Sequence, residues 1–179
     1  MKRINNSNRY ISSSKYMLVL LLCTFFLSGC KMRYSFSGAS IPPEAKTVSV
    51  LYFQNNASLA PPTLSQSFTE ALKDKLSSQT RLTLVTKAGD LSFEGSVTGY
   101  TTGPIAIQST DQAALNRLTI TVSVKYICMF DEKKNFEQSF TRYADYSSSQ
   151  NIASVEDQLT REINEQLVQD IFNRALNNW

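Results

Sequence analysis

The sequence predicts an α+β domain: a two-layer sandwich in which two helices pack on one face of a mostly antiparallel or mixed sheet of about four to five strands. Two observations lead to this class. Between residues 47 and 141, several segments are β-branched, aromatic or strictly alternating. Two other segments, one within this range and one at the C-terminus, repeat apolar residues at helical spacing. Their order is β-α-β-β-β-β-α, and the sequence shows no internal repeat and no second domain.

The first strand and the first helix follow from residue pattern. Residues 47–53 are β-branched and aromatic, which favours a strand. Thr63 is expected to cap the next helix, with Gln66 three residues later completing a capping box. The helix then carries an apolar stripe of about four turns, formed by Leu64, Phe68, Ala71, Leu72 and Leu76.

Two further strands are predicted in the middle of the chain. Residues 81–85 form a short one, and from Leu91 apolar and polar residues alternate, which predicts one packed and one solvated face. Gly95 and Gly99 are expected on the packed face, where they leave room for a bulge, a bend or a closely approaching helix. The packed face is expected to hold Leu91, Phe93, Gly95, Val97 and Gly99.

Residues 118–126 give the strongest strand signal, and Cys128 continues their apolar phase. We therefore expect Cys128 to be a core residue and not a reactive thiol. A charged turn at residues 131–135 leads into a last strand that begins at Phe136, and tight antiparallel pairing of these two strands is the simplest arrangement.

A long C-terminal helix is predicted to begin at Ser154, with Asp157 three residues later, and to run to about Leu176. Its apolar stripe consists of Val155, Leu159, Ile163, Leu167, Ile171 and Phe172. This stripe and that of the first helix would cover one face of the sheet.

The N-terminus has the features of a signal peptide. Four basic residues precede an apolar run of about 11 residues that ends at Leu27, followed by Ser28 and Gly29. That run is shorter than the roughly 20 residues of a membrane-spanning helix. Leu27-Ser28-Gly29-Cys30 resembles the bacterial lipobox, so we expect cleavage after residue 29 and lipid attachment at Cys30. The alternative is a plain secreted protein with a chance cysteine at the cleavage site.

The predicted organisation is therefore a signal peptide at residues 1–29, a lipidated tether at 30–46 and a single domain at 47–179. After cleavage, 14 basic and 15 acidic residues remain, a formal net charge of −1. The basic pI of the whole chain therefore gives no reason to expect nucleic-acid binding. Only Cys128 remains as a free thiol, since Cys23 is removed and Cys30 carries lipid.

Little in the sequence points to catalysis. The chain has no histidine, the usual base of a hydrolase triad and the commonest zinc ligand, and no phosphate-binding glycine loop. We expect no catalytic residue, no metal site and no cofactor apart from the lipid on Cys30. A carboxylate-based glycan hydrolase would need two acids in one cleft; solvated or capping roles explain the candidates Glu94, Asp131, Glu132, Glu156 and Asp157.

Basic and aromatic residues are the remaining candidates for binding. The basic ones lie on or between the last two strands and are weak candidates for contact with an anionic glycolipid: Arg117, Lys125, Lys133, Lys134 and Arg142. A solvated sheet edge and turn would equally account for them. Five aromatic residues stand outside the apolar stripes and are either interface anchors or covers over the core: Tyr34, Phe36, Tyr100, Tyr143 and Tyr146.

Six short segments resemble the LptE family of outer-membrane lipopolysaccharide (LPS)-assembly lipoproteins. They are YSFSG at 34–38, IPP at 41–43, PTLSQSFTEAL at 62–72, LSFEG at 91–95, NRLTITV at 116–122 and FEQSF at 136–140. Together they extend over nearly the whole chain after Cys30. No LPS-contacting motif of the family matches securely, so only the lipid-bearing Cys30 is carried over, and Arg117 in the fifth segment is a guess.

The resemblance implies an α/β sandwich held by its lipid at the periplasmic face of the outer membrane. It also implies an LptD-type β-barrel as partner, which the domain would plug, and LPS as the molecule delivered to the outer leaflet. A lipid-anchored subunit of another cell-envelope secretion or surface-assembly machine remains an alternative.

Overall fold

The computed structural model describes residues 41–105 and 114–177. Within them, two helices and a mixed sheet of six strands confirm the predicted α+β class. A 3-10 turn (Glu132–Lys134) joins the last two strands. The elements are β1 (Thr47–Val50), β2 (Gln54–Asn55), α1 (Thr63–Gln79), β3 (Thr83–Val85), β4 (Leu91–Pro104), β5 (Leu115–Cys128), β6 (Phe136–Ser147) and α2 (Ile152–Leu176).

The sheet has the strand order β3-β1-β4-β5-β6, with β2 also pairing β4. Strand β1 pairs in parallel with β3 and β4, and β4, β5 and β6 form an antiparallel meander. The strand expected at residues 47–53 is divided, because the chain leaves the ladder after Val50. There the Phe53 backbone N–H donates to Thr69 Oγ1 of α1 at 3.2 Å, which turns the Phe53 ring into the core.

Both helices cover the same face of the sheet. In β5 alternate residues point at them, and every second side chain from Leu118 to Cys128 is buried. The expected burial of Cys128 is confirmed, since 1% of it is exposed. The helices also contact each other: Asn164 Nδ2 of α2 donates to Ser67 Oγ of α1 at 3.2 Å.

Strand β4 contains a β-bulge, which is one of the features that its glycines predicted. The bulge also shows that the predicted position of Gly99 on the packed face is wrong. Val97 pairs with Val122, but Gly99 pairs with Thr121, so Thr98 is an extra residue. The extra residue shifts the alternation by one position. Gly99 therefore lies on the face away from the helices, and Tyr100 enters the core, with its hydroxyl donating to Glu156 of α2.

Both predicted helix starts are wrong. The cap position of α1 is Pro62, whose backbone is already helical, so Thr63 lies inside the helix and its hydroxyl cannot adopt cap geometry. Gln66 donates instead to Glu70. Helix α2 begins at Ile152, two residues earlier than expected, because the Asn151 side chain accepts from the Ala153 N–H at 3.1 Å.

Several expectations lie outside the described residues: the signal peptide, Cys30 and the tether as far as residue 40, with Tyr34 and Phe36. The last part of the tether is described. Ile41 and Ala45 pack against the core, and the Ala45 N–H donates to Pro42 O at 3.0 Å.

Asp90 fixes the point at which this segment enters the sheet. Its Oδ2 accepts from the backbone N–H groups of Lys46 and Thr47, at 2.8 and 2.9 Å, and from the Thr47 hydroxyl at 2.9 Å. These hydrogen bonds, with that from the Lys46 backbone largest, lower the pKa of Asp90 below its ordinary value of 3.8. The ionised carboxylate therefore stabilises the fold above the unfolded-state pKa.

Acidification should remove this contribution. As the pH falls below 3.8 and through the lowered folded-state pKa, the folded protein must take up a proton, and its free energy of unfolding falls. We expect Asp90→Asn to be less stable than the parent protein at pH 7 and the difference to shrink towards pH 2. Urea unfolding across this range measures it, with Asp74→Asn on the exposed surface of α1 as control. A difference that is constant with pH would contradict the assignment.

Candidate interaction surface

The side of the sheet away from the helices is polar and carries most of the candidate residues. We call it the open face: the outward-pointing side chains of β4, β5 and β6. It follows from alternation, because a residue next to a buried one on the same strand points to the other side of the sheet, and the register keeps the outward residues of the three strands opposite one another. Its centre is rich in hydroxyl groups, from Ser96, Thr101, Thr119, Thr121, Ser123, Ser139 and Thr141.

Hydroxyl groups on neighbouring strands meet at this centre. Thr121 and Thr141 are cross-strand partners, and their Oγ1 atoms lie 2.9 Å apart. The bulge residue Thr98 donates from Oγ1 to the Thr121 carbonyl at 3.4 Å. A hydroxyl can donate or accept and can rotate, so the centre offers uncharged and adaptable hydrogen-bonding groups.

Arg117 lies at one end of the open face and is already paired. Its Nε and Nη2 donate to both carboxylate oxygens of Asp145, at 2.7 and 2.9 Å, and its guanidinium lies 3.5 Å from the ring centre of Tyr143. The hydrogen bonds raise the pKa of Arg117 and lower that of Asp145. An anionic ligand would compete with Asp145 for the N–H groups on Nε and Nη2. Tyr143 is 49% exposed.

Lys125 lies at the other end, about 27 Å along the strand from Arg117. Its Nζ pairs with Glu94 Oε1 at 2.8 Å, and Glu137 is its cross-strand partner on β6. The hydrogen bond to Glu94 raises the pKa of Lys125. Glu94, which a carboxylate-based hydrolase would have used, is thus the partner of a lysine on an open sheet.

The other basic candidates lie elsewhere. Arg142 points to the helix side, where Nε and Nη2 bind Asp170 of α2 at 2.5 and 2.8 Å and so join β6 to the helix. Lys133 and Lys134 belong to the 3-10 turn after β5. The structure therefore does not bring the five basic residues together. Their contact with LPS stays a prediction.

The sequence did not show which of the three described aromatic candidates are buried and which is exposed. Tyr100 and Tyr146 are buried, and the Tyr146 hydroxyl lies 2.7 Å from Thr102 Oγ1. Only Tyr143 belongs to the open face. The hydroxyl-rich centre was not singled out either, although serine and threonine at every second position of residues 119–123 and 139–141 were a visible signal.

The sequence of the domain matches a known protein family. The model of the family described as LptE, Lipopolysaccharide-assembly, matches residues 45–175, nearly all of the described domain. The chain belongs to the LptE family. The LptE match includes every strand and all but the last residue of α2, so the open face lies within the family domain.

Two solved structures can be aligned with most of the chain. A minor lipoprotein from Acinetobacter baumannii aligns at 18% identity over 73% of this chain and 91% of that chain, with a TM-score of 0.47. A hypothetical protein from Chlamydia trachomatis aligns at 12% identity over 75% of this chain and 100% of that chain, with a TM-score of 0.50, which shows a shared fold. No curated protein matches this LptE-family chain.

Neither described helix is both long enough and apolar enough to cross a membrane. LptE-family membership makes this chain an LPS-assembly protein in general terms.

Proposed function

We propose that this LptE-family protein is a non-catalytic lipoprotein at the periplasmic face of the outer membrane, anchored through lipid on Cys30. It plugs an LptD-type β-barrel, assists assembly of that barrel and helps to deliver LPS to the outer leaflet. The family match over residues 45–175 is the observation that carries this proposal.

The open face supports the plug role through its polarity. The interior of a large transmembrane β-barrel is polar, and the open face presents hydroxyl groups in the centre with one ion pair at each end. Because Arg117 and Lys125 already have carboxylate partners, docking in a lumen leaves neither cation unpaired. Burying an unpaired charge would oppose docking strongly.

The lipid tether would assist docking by restricting where the domain can go. A domain held at the membrane encounters a barrel in the same membrane at a high effective concentration, so modest contacts suffice for stable association. The lipid on Cys30 is thus the only chemical modification in the proposal, and it acts by positioning.

Barrel recovery tests the role of the open face. Thr121→Glu combined with Thr141→Glu places two carboxylates where the two hydroxyls meet. We expect at least about tenfold less barrel protein in pull-downs from solubilised outer membrane, since burying unpaired charges in an interface costs several kcal/mol. The matched control, Ser154→Glu with Gln158→Glu, adds the same charge on the exposed side of α2. Urea unfolding checks that both variants fold.

Three results would count against the proposal. If the parent protein recovers no barrel, the plug role fails. If the control loses as much barrel as the open-face variant, the open face is not the specific contact. If depletion of the protein leaves surface LPS normal, the alternative of a subunit of another envelope machine is favoured.

A further inference from the structure

The turn between β5 and β6 carries two exposed apolar side chains that the fold does not require. We call residues 129–135 the tip. Met129 is 69% exposed and Phe130 is 47% exposed, and they directly follow the end of β5, which is paired with β4 as far as Cys128. The other residues of the tip are polar or charged, as expected for a turn. Two neighbouring large apolar side chains at an exposed turn form a small apolar patch that is available for a contact.

The tip lies beside the point at which the chain from Cys30 enters the domain. Asp90 connects the two: its backbone carbonyl accepts from the Met129 N–H at 3.0 Å, and its carboxylate accepts from the Lys46 N–H at 2.8 Å. Ile41 and Ala45 pack against the core, so the entry point is fixed to the domain. The tip and the end of the tether are therefore held together by a single residue.

Tether length limits how far this end of the domain can lie from the bilayer. The chain from Cys30 to Ile41 reaches at most about 40 Å even when fully extended. A lipid on Cys30 keeps the entry point within that distance of the membrane, and the tip shares that position.

The tip is held in shape by its own hydrogen bonds. Asn135 Oδ1 accepts from the Cys128 N–H at 2.7 Å, and Asp131 Oδ1 accepts from the Lys133 N–H at 3.1 Å. The Lys134 N–H donates to Asp131 O at 3.1 Å. A pre-formed tip loses little conformational freedom when it makes a contact.

The charges around the tip decide which kind of membrane contact it fits. Lys46 and Lys133 are exposed, but so are Glu44 and Glu132, so the surroundings carry no strong net charge. Attraction to anionic lipid would need an excess of basic residues. Insertion of apolar side chains at the boundary between head groups and acyl chains does not.

We propose that the tip is a membrane contact: Met129 and Phe130 insert into the interfacial zone of the phospholipid bilayer to which Cys30 anchors the protein. The contact depends weakly on head-group charge and, with the lipid, fixes the orientation of the domain before it meets a barrel. This inference rests on the lipid attachment included in the proposed function and adds a second attachment point on the folded domain.

Fluorescence quenching in vesicles tests the insertion. The full lipidated protein carrying Phe130→Trp is reconstituted in phosphatidylcholine vesicles and in vesicles with a quarter phosphatidylglycerol, each containing brominated acyl chains. We expect about twofold quenching of the added tryptophan in both, as for a side chain inserted 5–10 Å into the boundary. Tyr143→Trp on the open face should remain nearly unquenched, and the parent protein supplies the background from Trp179.

A second substitution tests whether the apolar pair acts together. Met129→Asp, added to Phe130→Trp, should abolish most of the quenching, whereas Leu59→Asp, at another exposed apolar residue, should leave it unchanged. Absence of quenching at position 130 in both vesicles would overturn the proposal, as would quenching only with phosphatidylglycerol. Mass spectrometry of the Cys30 lipid and barrel pull-down report separately on the proposed function, so quenching without barrel recovery would refute only the plug role.

Discussion

Replacing Gly95 by alanine is expected to destabilise the domain by about 3 kcal/mol, the upper part of the range for overpacking. A Cβ at this position would lie 2.0 Å from the Ser123 carbonyl oxygen and 2.8 Å from Cε1 of Phe53. The first of these atoms belongs to the backbone of the neighbouring strand β5, so it can move only if the ladder moves with it. Urea unfolding of Gly95→Ala against the parent protein measures the loss.

Gly103 supplies the matched control. It lies in the same strand, and a Cβ there would meet no atom within 4 Å. Gly103→Ala should therefore change the free energy of unfolding by no more than about 0.5 kcal/mol, the range of substitutions at unconstrained surface positions. Similar values for the two variants would show that the close approach at Gly95 does not limit the sheet.

Truncation of Phe53 to alanine should cost about 3–5 kcal/mol, the usual range for a buried aromatic residue. The Phe53 side chain is fully buried, meets Phe68 of α1 edge to face at 4.9 Å between ring centres, and fills the space above Gly95. Its removal leaves a cavity between helix and sheet. The loss would be a large part of the 5–15 kcal/mol that stabilises a typical domain.

The neighbouring aromatic residue tests the specificity of this effect. Tyr52 is adjacent in the chain but exposed, so Tyr52→Ala should cost less than about 1 kcal/mol in the same urea titration. If both variants lost equal stability, the cost would come from the local backbone and not from the packing of Phe53. If neither lost stability, the placement of the Phe53 ring in the core would be wrong.

Regular elements with one buried face were predictable from the sequence. Burial repeats every second residue in β5 and at steps of three and four in the two helices. Apolar residues recur in the sequence at the same spacing. Burial of Cys128 followed from the same phase. Where the period was interrupted, prediction failed: the bulge at Thr98 reversed the face of Gly99 and carried Tyr100 into the core.

Helix ends and short elements were less predictable because local chemistry offers several solutions. Thr63 and Ser154 both have residue types that cap helices, yet Pro62 and Asn151 occupy the cap positions. The two-residue strand β2 carries no period at all. Its pairing with β4 depends on where Phe53 packs against α1.

The candidate surface was predictable as a set of residue types but not as an arrangement. The sequence indicated a solvated side of the sheet and basic residues near its last strands. The pairing of Arg117 with Asp145, Lys125 with Glu94 and Arg142 with Asp170 joins residues that are 28 to 31 positions apart. Such pairs form only once strand register and helix position are fixed.

The sequence by itself determined the class of the fold, the core phase of each long element and the LptE resemblance that the family match bears out, because burial and family motifs are properties of residue order. Tertiary structure alone decided which charged residues pair and which aromatic residues are exposed. It also decided that Met129 lies beside the point where the chain enters the domain, because Asp90 binds both Met129 and Lys46. These depend on contacts between distant segments. The position of a residue in the chain does not reveal its neighbours until the sheet and the helices have come together.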